Sequence, residues 1–108
     1  MIENGLYVDK EVKRHSSYIR VQLLATNTPI VGASAKRVRI TFISDSAVDS
    51  FLDTDTGAFN GFHAINLNQR SGIITFDVVD YGSMVQAPWL GTSTGGAAFI
   101  TCIETVES

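Results

Sequence analysis

The sequence predicts an all-β fold, and three observations lead to that prediction. Apolar and polar residues alternate with a period of two in several stretches, most clearly in RVRITFI at 37–43. Clusters of Asn, Asp, Ser, Gly and Pro separate these stretches at intervals of roughly ten residues. No long segment repeats its apolar residues with the 3.6-residue period of a helix. We therefore predict an antiparallel β-sandwich or a jelly-roll-like barrel of about seven to eight strands.

The individual strands are predicted from alternation and from runs of β-branched and aromatic residues. In chain order they are 18–25, 37–43, 47–52, 62–67, 72–79, 83–90 and 97–106. In the two clearest strands, alternation places Arg37 and Arg39 outward in solvent. The side chains predicted to point inward in those strands are Ile19, Val21, Leu23, Val38, Ile40 and Phe42.

The turns between the strands are predicted from residues that favour tight backbone reversals. They are TNTP at 26–29, SDS at 44–46, DTDTG at 53–57, NQRSG at 68–72, DYGS at 80–83 and GTSTGG at 91–96.

Length and composition indicate a single folded domain. The chain has 108 residues, of which 44% are apolar and 18% are charged, a balance that is typical of a globular protein with its own core. Cys102 is the only cysteine, so an intrachain disulfide is excluded. No apolar run approaches the roughly 20 residues that span a bilayer, and the N-terminal residues lack a signal-peptide apolar region. We expect assembly in the cytoplasm.

The charges are distributed unevenly along the chain. Residues 1–40 contain seven basic and three acidic residues, a net charge of +4, whereas residues 41–108 contain one basic and eight acidic residues, a net charge of −7. Either the two parts neutralise each other within one fold, or a basic N-terminal arm docks on an acidic neighbour. Residues 1–17 have no clear period, so we divide the chain into an extended arm at 1–17, frayed or ordered by a partner, and a β-domain at 18–108.

The segment FLDTDTGAFNGF at 51–62 begins like a calcium-binding loop. Asp53 and Asp55 have the right spacing, but an EF-hand also needs an oxygen ligand at 57, glycine at 58 and glutamate at 64. The chain has Gly57, Ala58 and Ala64 there. We predict a hairpin turn in which Asp and Thr side chains bond nearby backbone and Gly57 takes a positive φ.

Other chemical groups are too few or wrongly placed for a site. His15 and His63 are the only histidines and would have to converge with Cys102 to bind zinc. Cys102 itself lies within a predicted strand, where cysteine behaves as a small apolar side chain. The GTSTGG loop lacks the Lys and the following helix of a phosphate-binding loop. We therefore predict no enzyme activity, no cofactor and no metal.

Two features are candidates for partner binding. A basic cluster at Lys36, Arg37 and Arg39 has no interleaved aromatic residues, and the sequence pI is about 5.1, which argues against nucleic-acid binding. Trp89, beside Pro88, either anchors the core or fills a pocket of a neighbouring subunit. The candidate partner-binding residues are Lys10, Lys13, Arg14, Arg37, Arg39 and Trp89.

The order of these features resembles that of a known class of protein. The strand RVRITFIS is followed by a polar turn, GFHAINLNQRSG, VVDYGSMVQAPWLG, a Gly/Ser/Thr loop and the terminal AAFITCIETVES. Over roughly residues 18–107 this order is similar to that of small β-sandwich structural proteins of tailed bacteriophages, in which an arginine-led strand lies near the middle and the chain ends in a strand closing on glutamate.

The resemblance implies a virion component: a capsid cement (decoration) protein, a head-fibre base or a head–tail accessory protein. Such proteins often form trimers and attach to the shell through terminal arms, and the matching element here is the charged segment 1–17. The implied partners are a major capsid protein or another virion protein and further copies of the chain, with no nucleic acid and no membrane. The alternative is a carbohydrate- or receptor-binding β-sandwich using loops 53–61 and 91–96, which exposed Trp89 and Tyr81 would favour.

Overall fold

In a computed structural model the chain is described over residues 13–44, 48–59, 65–94 and 98–108. Most of these residues lie in strands. The strands are β1 (Arg14–Leu23), β2 (Thr28–Val31), β3 (Arg37–Ser44), β4 (Ser50–Thr54), β5 (Ile65–Asn66), β6 (Ile73–Asp77), β7 (Trp89–Ser93) and β8 (Ala98–Glu107). One α-helical turn, α1 (Val78–Tyr81), and two short 3₁₀ helices, Leu67–Arg70 and Gly82–Gln86, complete the described elements.

The strands form two antiparallel sheets of four strands each. Sheet one has the order β1-β8-β3-β6, and sheet two has the order β2-β7-β4-β5. The prediction of an all-β, antiparallel fold is confirmed. Among the described residues, no helix is long and apolar enough to cross a membrane.

The two sheets share one apolar core in a sandwich-like arrangement. Full burial of one such side chain stabilises the fold by about 1.5–3 kcal/mol, so these residues supply most of the driving force. Sheet one contributes Leu23, Ile40, Phe42, Phe76, Ala98, Ile100 and Cys102, sheet two contributes Ile30, Leu52, Ile65 and Trp89, and the short helices contribute Leu67 and Val85.

Alternation predicts the inward side of sheet one correctly at Leu23, Ile40 and Phe42, which are fully buried, and at Val21, which is half-buried and packs against the core. Ile19 differs: it lies opposite Cys102 in the β1–β8 register and so shares its face, yet it is 46% exposed. In the part of the chain that the structure describes, β1 is an edge strand with β8 as its one strand neighbour. A side chain there is flanked on one side only, which is why Ile19 keeps much of its surface.

Arg37 lies inside the protein, and its predicted outward position is wrong. The pairing of β3 with β8 shifts register between Arg37 and Arg39, as at a β-bulge. An extra residue in one strand reverses the inward and outward assignment beyond it. Arg37 is therefore 1% exposed, whereas Val38, predicted to point inward, is half-buried.

Several boundaries also differ from the prediction. β2 forms where a turn at 26–29 is expected, and β7 continues into the predicted loop 91–96. A 3₁₀ helix, Gly82–Gln86, occupies the first half of the predicted strand 83–90, and β7 begins only after Pro88. β6 ends at Asp77 because the Asp77 side chain accepts a hydrogen bond from the Val79 N–H and caps α1.

Candidate partner-binding surface

The predicted basic residues at the start of the domain lie on an exposed edge. β1 begins at Arg14, four residues before its predicted start, and residues 14–17 pair with 104–107 of β8. Arg14 Nε donates to Glu107 Oε2 at 3.3 Å, and the Ser108 N–H donates to the Lys13 carbonyl at 3.0 Å. Lys13 and Arg14 are both exposed. Lys10 and the rest of 1–12 lie outside the described residues.

Arg37 is a structural residue that joins three parts of the fold. Its Nη1 donates to the carbonyls of Val85 at 3.0 Å and Ala87 at 2.9 Å, and its Nη2 donates to the Gly32 carbonyl at 2.5 Å. Its Nε donates to Glu104 Oε1 at 3.2 Å. With the guanidinium occupied in this way and 1% of the residue exposed, Arg37 offers no surface to a partner.

Arg39 lies on the outside of the same strand, as predicted. Its Nη2 is 3.1 Å from Asp77 Oδ2 in an exposed ion pair. The Val79 N–H and then the Arg39 guanidinium hold the pKa of the Asp77 carboxyl below its ordinary value. At pH values above its ordinary pKa, this carboxylate therefore stabilises the folded state. The stabilisation is lost as the pH falls through the lowered folded-state pKa.

Trp89 belongs to the core, which is the first of its two predicted roles. It is 0% exposed, and its ring centroid lies 5.0 Å from that of Phe42 and 5.1 Å from that of Phe76. A side chain with no exposed surface contacts neither a neighbouring subunit nor a sugar. Tyr81, the other aromatic residue of the carbohydrate alternative, is 38% exposed and packs edge-on against Phe76 at 4.9 Å.

The outward side of sheet one carries an apolar patch that sequence reasoning missed. The register aligns Tyr18, Ile103, Thr41 and Thr75 in one row across the four strands, and Arg20, Thr101, Ile43 and Ile73 in the next. We call these two rows, with Phe99, the outer face. Tyr18 is 78% exposed and Ile73 is 51% exposed, while Ile43, Phe99 and Ile103 are half-buried.

The outer face has a mixed aromatic, β-branched and cationic character. The Arg20 guanidinium carbon lies 4.1 Å from the centroid of the Phe99 ring, within the range of a cation–π contact. Thr41 and Thr75 share a hydrogen bond of 2.9 Å between their hydroxyl groups. The signal for this face is present in the sequence: apolar residues occupy the outward positions Ile73, Phe99 and Ile103, where a solvated sheet face carries polar ones.

The DTDTG segment is a turn, as predicted. Asp53 Oδ1 accepts from the N–H groups of Thr54 at 2.6 Å and Phe59 at 3.0 Å, and Gly57 has φ 70°. Thr54 Oγ1 accepts from the Ala58 N–H at 3.1 Å. Asp53 is 0% exposed, so its carboxylate organises the backbone of the turn.

Replacing Asp53 by Ala should lower the free energy of unfolding by about 1–3 kcal/mol, because two N–H groups near the buried carboxylate lose their acceptor. Asp55→Ala is the matched control, since Asp55 is exposed in the same turn, and it should change stability by at most about 0.5 kcal/mol. Urea unfolding measures both, and calcium should leave the midpoint of the unmodified chain unchanged. Equal losses in the two variants, or a calcium-dependent midpoint, would contradict the turn assignment.

Cys102 is buried, with 1% of its surface exposed, and desolvation raises the pKa of its thiol to about 12. At neutral pH the thiol is protonated, so it is not a thiolate nucleophile. His15 is exposed at the β1 edge, and His63 lies outside the described residues. Within the described ranges, no three His, Cys, Asp or Glu side chains come together as a metal site would require.

Comparison with known proteins gives no family for the chain. No family model matches it, and the searches of curated proteins and of solved structures found no match.

Proposed function

We propose that the chain is a non-enzymatic structural protein of a bacteriophage virion, a capsid cement or decoration protein that binds and stabilises the shell. In this proposal the two sheets form a sandwich with a jelly-roll-like path, and the charged residues before β1 act as a docking arm, shorter than the predicted 1–17 because residues 14–17 belong to β1. The partners are the major capsid protein or another virion protein and further copies of the chain. The observation that carries the proposal is the exposed apolar outer face of sheet one.

The composition of the outer face suits contact with another protein. Monomeric proteins rarely expose contiguous apolar patches larger than a few hundred Å², and larger patches mark interaction surfaces. Tyr18 and the Arg20–Phe99 pair supply the residue types that dominate binding energy at interfaces. The threonine and isoleucine side chains of Thr41, Thr75 and Ile43 lie on β-strands whose backbone is already ordered, so binding orders little additional chain.

The carbohydrate-binding alternative has less support from the described residues. Its two aromatic platforms were to be Trp89 and Tyr81, and Trp89 is buried. In the second of its two predicted loops, 91–96, residues 91–93 belong to β7 and are buried. We therefore assign the contact surface to the outer face rather than to these loops.

The direct test is the protein content of purified phage particles from the source of the chain. We expect the chain in a fixed copy number on the shell, measured by mass spectrometry and located by electron cryomicroscopy. Particles that contain none of it would overturn the proposed function.

The outer face is tested by adding purified chain back to shells that lack it. Tyr18→Thr should weaken shell binding about ten-fold or more, as truncation of an interface anchor does. Val79→Thr is the control, because Val79 is 88% exposed but lies on α1 and outside the outer face. If both variants bind like the unmodified chain, the outer face is not the docking surface.

A further inference from the structure

Sheet one has two edge strands that differ in charge. Residues 13–23, comprising β1 and the residue before it, contain Lys13, Arg14 and Arg20 and no acidic residue. Residues 73–81, comprising β6 and α1, contain Asp77 and Asp80 and no basic residue. The sheet order places β1 and β6 at opposite edges. The two edge strands therefore differ in charge, one basic and one acidic. Within the subunit, Arg14 also pairs with Glu107 and Asp77 with Arg39.

Both edges are accessible for pairing. Every residue from 14 to 20 is exposed, and among the described residues β1 has β8 and β6 has β3 as its one strand neighbour. Tyr18 on β1 is 78% exposed and Ile73 on β6 is 51% exposed. A long exposed edge strand is a template for pairing with a strand of another molecule.

We propose that copies of this chain associate head to tail, with β1 of one copy pairing against β6 of the next. The inference rests on the proposed assembly role and names the contact between subunits. Because β1 and β6 run antiparallel within sheet one, a second copy in the same orientation presents β6 antiparallel to β1. The sheet then continues from one subunit into its neighbour without a change in the pattern of strand directions.

One antiparallel register joins both the charged and the apolar exposed residues of the two edges. It places Arg14 opposite Asp77 of the partner subunit and Tyr18 opposite Ile73 of the partner subunit. All four side chains lie on the outward side of sheet one. An opposite-charge pair and an aromatic–β-branched pair are the cross-strand combinations that stabilise antiparallel strands.

Charge decides against the two-fold alternatives. Pairing β1 with β1 of a partner would bring two basic strands together, and pairing β6 with β6 would bring together two edges whose charged side chains are all acidic. Like charges on facing strands are destabilising. Head-to-tail contact uses different surfaces on the two copies, so it closes into a ring or continues as a filament.

The geometry is tested by disulfide cross-linking of two single variants, Tyr18→Cys and Ile73→Cys, under copper–phenanthroline oxidation. We expect cross-linked dimers when the two variants are mixed and none from either variant alone. The unmodified chain, with buried Cys102, is one control, and Thr26→Cys mixed with Tyr18→Cys is another, since Thr26 is exposed in the β1–β2 turn. Cross-linked dimers in Tyr18→Cys alone or in Ile73→Cys alone would overturn the proposal. So would the absence of cross-linked dimers when the two variants are mixed.

The charge complementarity is tested by sedimentation velocity with two double variants. K13E/R14E makes both edges acidic, whereas D77N/D80K removes the acidic edge. The asparagine introduced at position 77 can still cap α1, because Asn and Asp are both favoured caps. Each variant should weaken self-association about ten-fold or more, and an equimolar mixture should restore it, because each variant supplies the edge that the other lacks. Unchanged association in both variants, or no recovery on mixing of variants with native circular dichroism, would contradict head-to-tail pairing.

The two proposals fail separately. If the chain forms head-to-tail cross-links but is absent from purified particles, the virion role is wrong and the edge contact is supported. If the chain is found on shells as isolated monomers that do not cross-link, the virion role is supported and the edge contact is wrong.

Discussion

Replacing Arg37 by Met should lower the free energy of unfolding by about 3–5 kcal/mol, because several acceptors lose a charged donor together and one hydrogen bond to a charged group contributes about 1.5–3 kcal/mol. The substitution keeps an apolar side chain of similar length but leaves the carbonyls of Gly32, Val85 and Ala87 without their donor and Glu104 without its cation. Urea unfolding followed by circular dichroism measures the loss.

Arg39→Met is the matched control for this prediction. Arg39 lies two residues away on the same strand and makes an exposed ion pair with Asp77, with 46% of its side-chain surface exposed. Exposed pairs contribute about 0–1 kcal/mol, so this variant should remain close to the unmodified chain. A loss in Arg37→Met no larger than that in Arg39→Met would show that Arg37 does not join the strands as described.

Replacing Trp89 by Ala should cost about 3–5 kcal/mol of stability, because a large buried ring is removed and the cavity collapses only in part. Trp89 packs against the rings of Phe42, Phe59 and Phe76. Trp89→Phe should cost much less, since it keeps an aromatic ring in place and, among the described residues, the buried Trp89 Nε1 has no hydrogen-bond partner to lose. Urea unfolding again measures both variants.

Two further measurements distinguish the core role of Trp89 from an interface role. As the single tryptophan of the chain, Trp89 should give a blue-shifted emission maximum that moves to longer wavelength on unfolding. Tyr18→Ala, which removes an aromatic side chain that is 78% exposed, should change stability by at most about 0.5 kcal/mol. A red-shifted native emission, or equal losses for Trp89→Ala and Tyr18→Ala, would contradict burial.

Gly91 shows how a local signal can predict the wrong structure. Its position at the start of GTSTGG predicts a flexible loop, yet it lies within β7. A Cβ atom at this position would lie 3.0 Å from Leu23 Cδ2 and 3.1 Å from Ile30 Cδ1. The glycine is needed because side chains from β1 and β2 pack closely over the strand, and no local pattern contains that information.

The sequence by itself determined the features that depend on short-range chemistry. Period-two alternation predicted the all-β class and the burial of Leu23, Ile40 and Phe42, because neighbouring residues of a regular strand face opposite sides. The turn at 53–57 followed from the hydrogen-bonding capacity of Asp53 and the backbone freedom of Gly57. These interactions join residues a few positions apart.

Tertiary structure alone decided the features that depend on which strands are neighbours. A register shift against β8 places Arg37 inside the protein, and packing between the two sheets buries Trp89 in the core. The outer face and the two charged edges exist only because β1, β8, β3 and β6 pair in that order. The alternation of one strand carries no information about its partner, so the candidate binding surface became visible only once the strands were assembled.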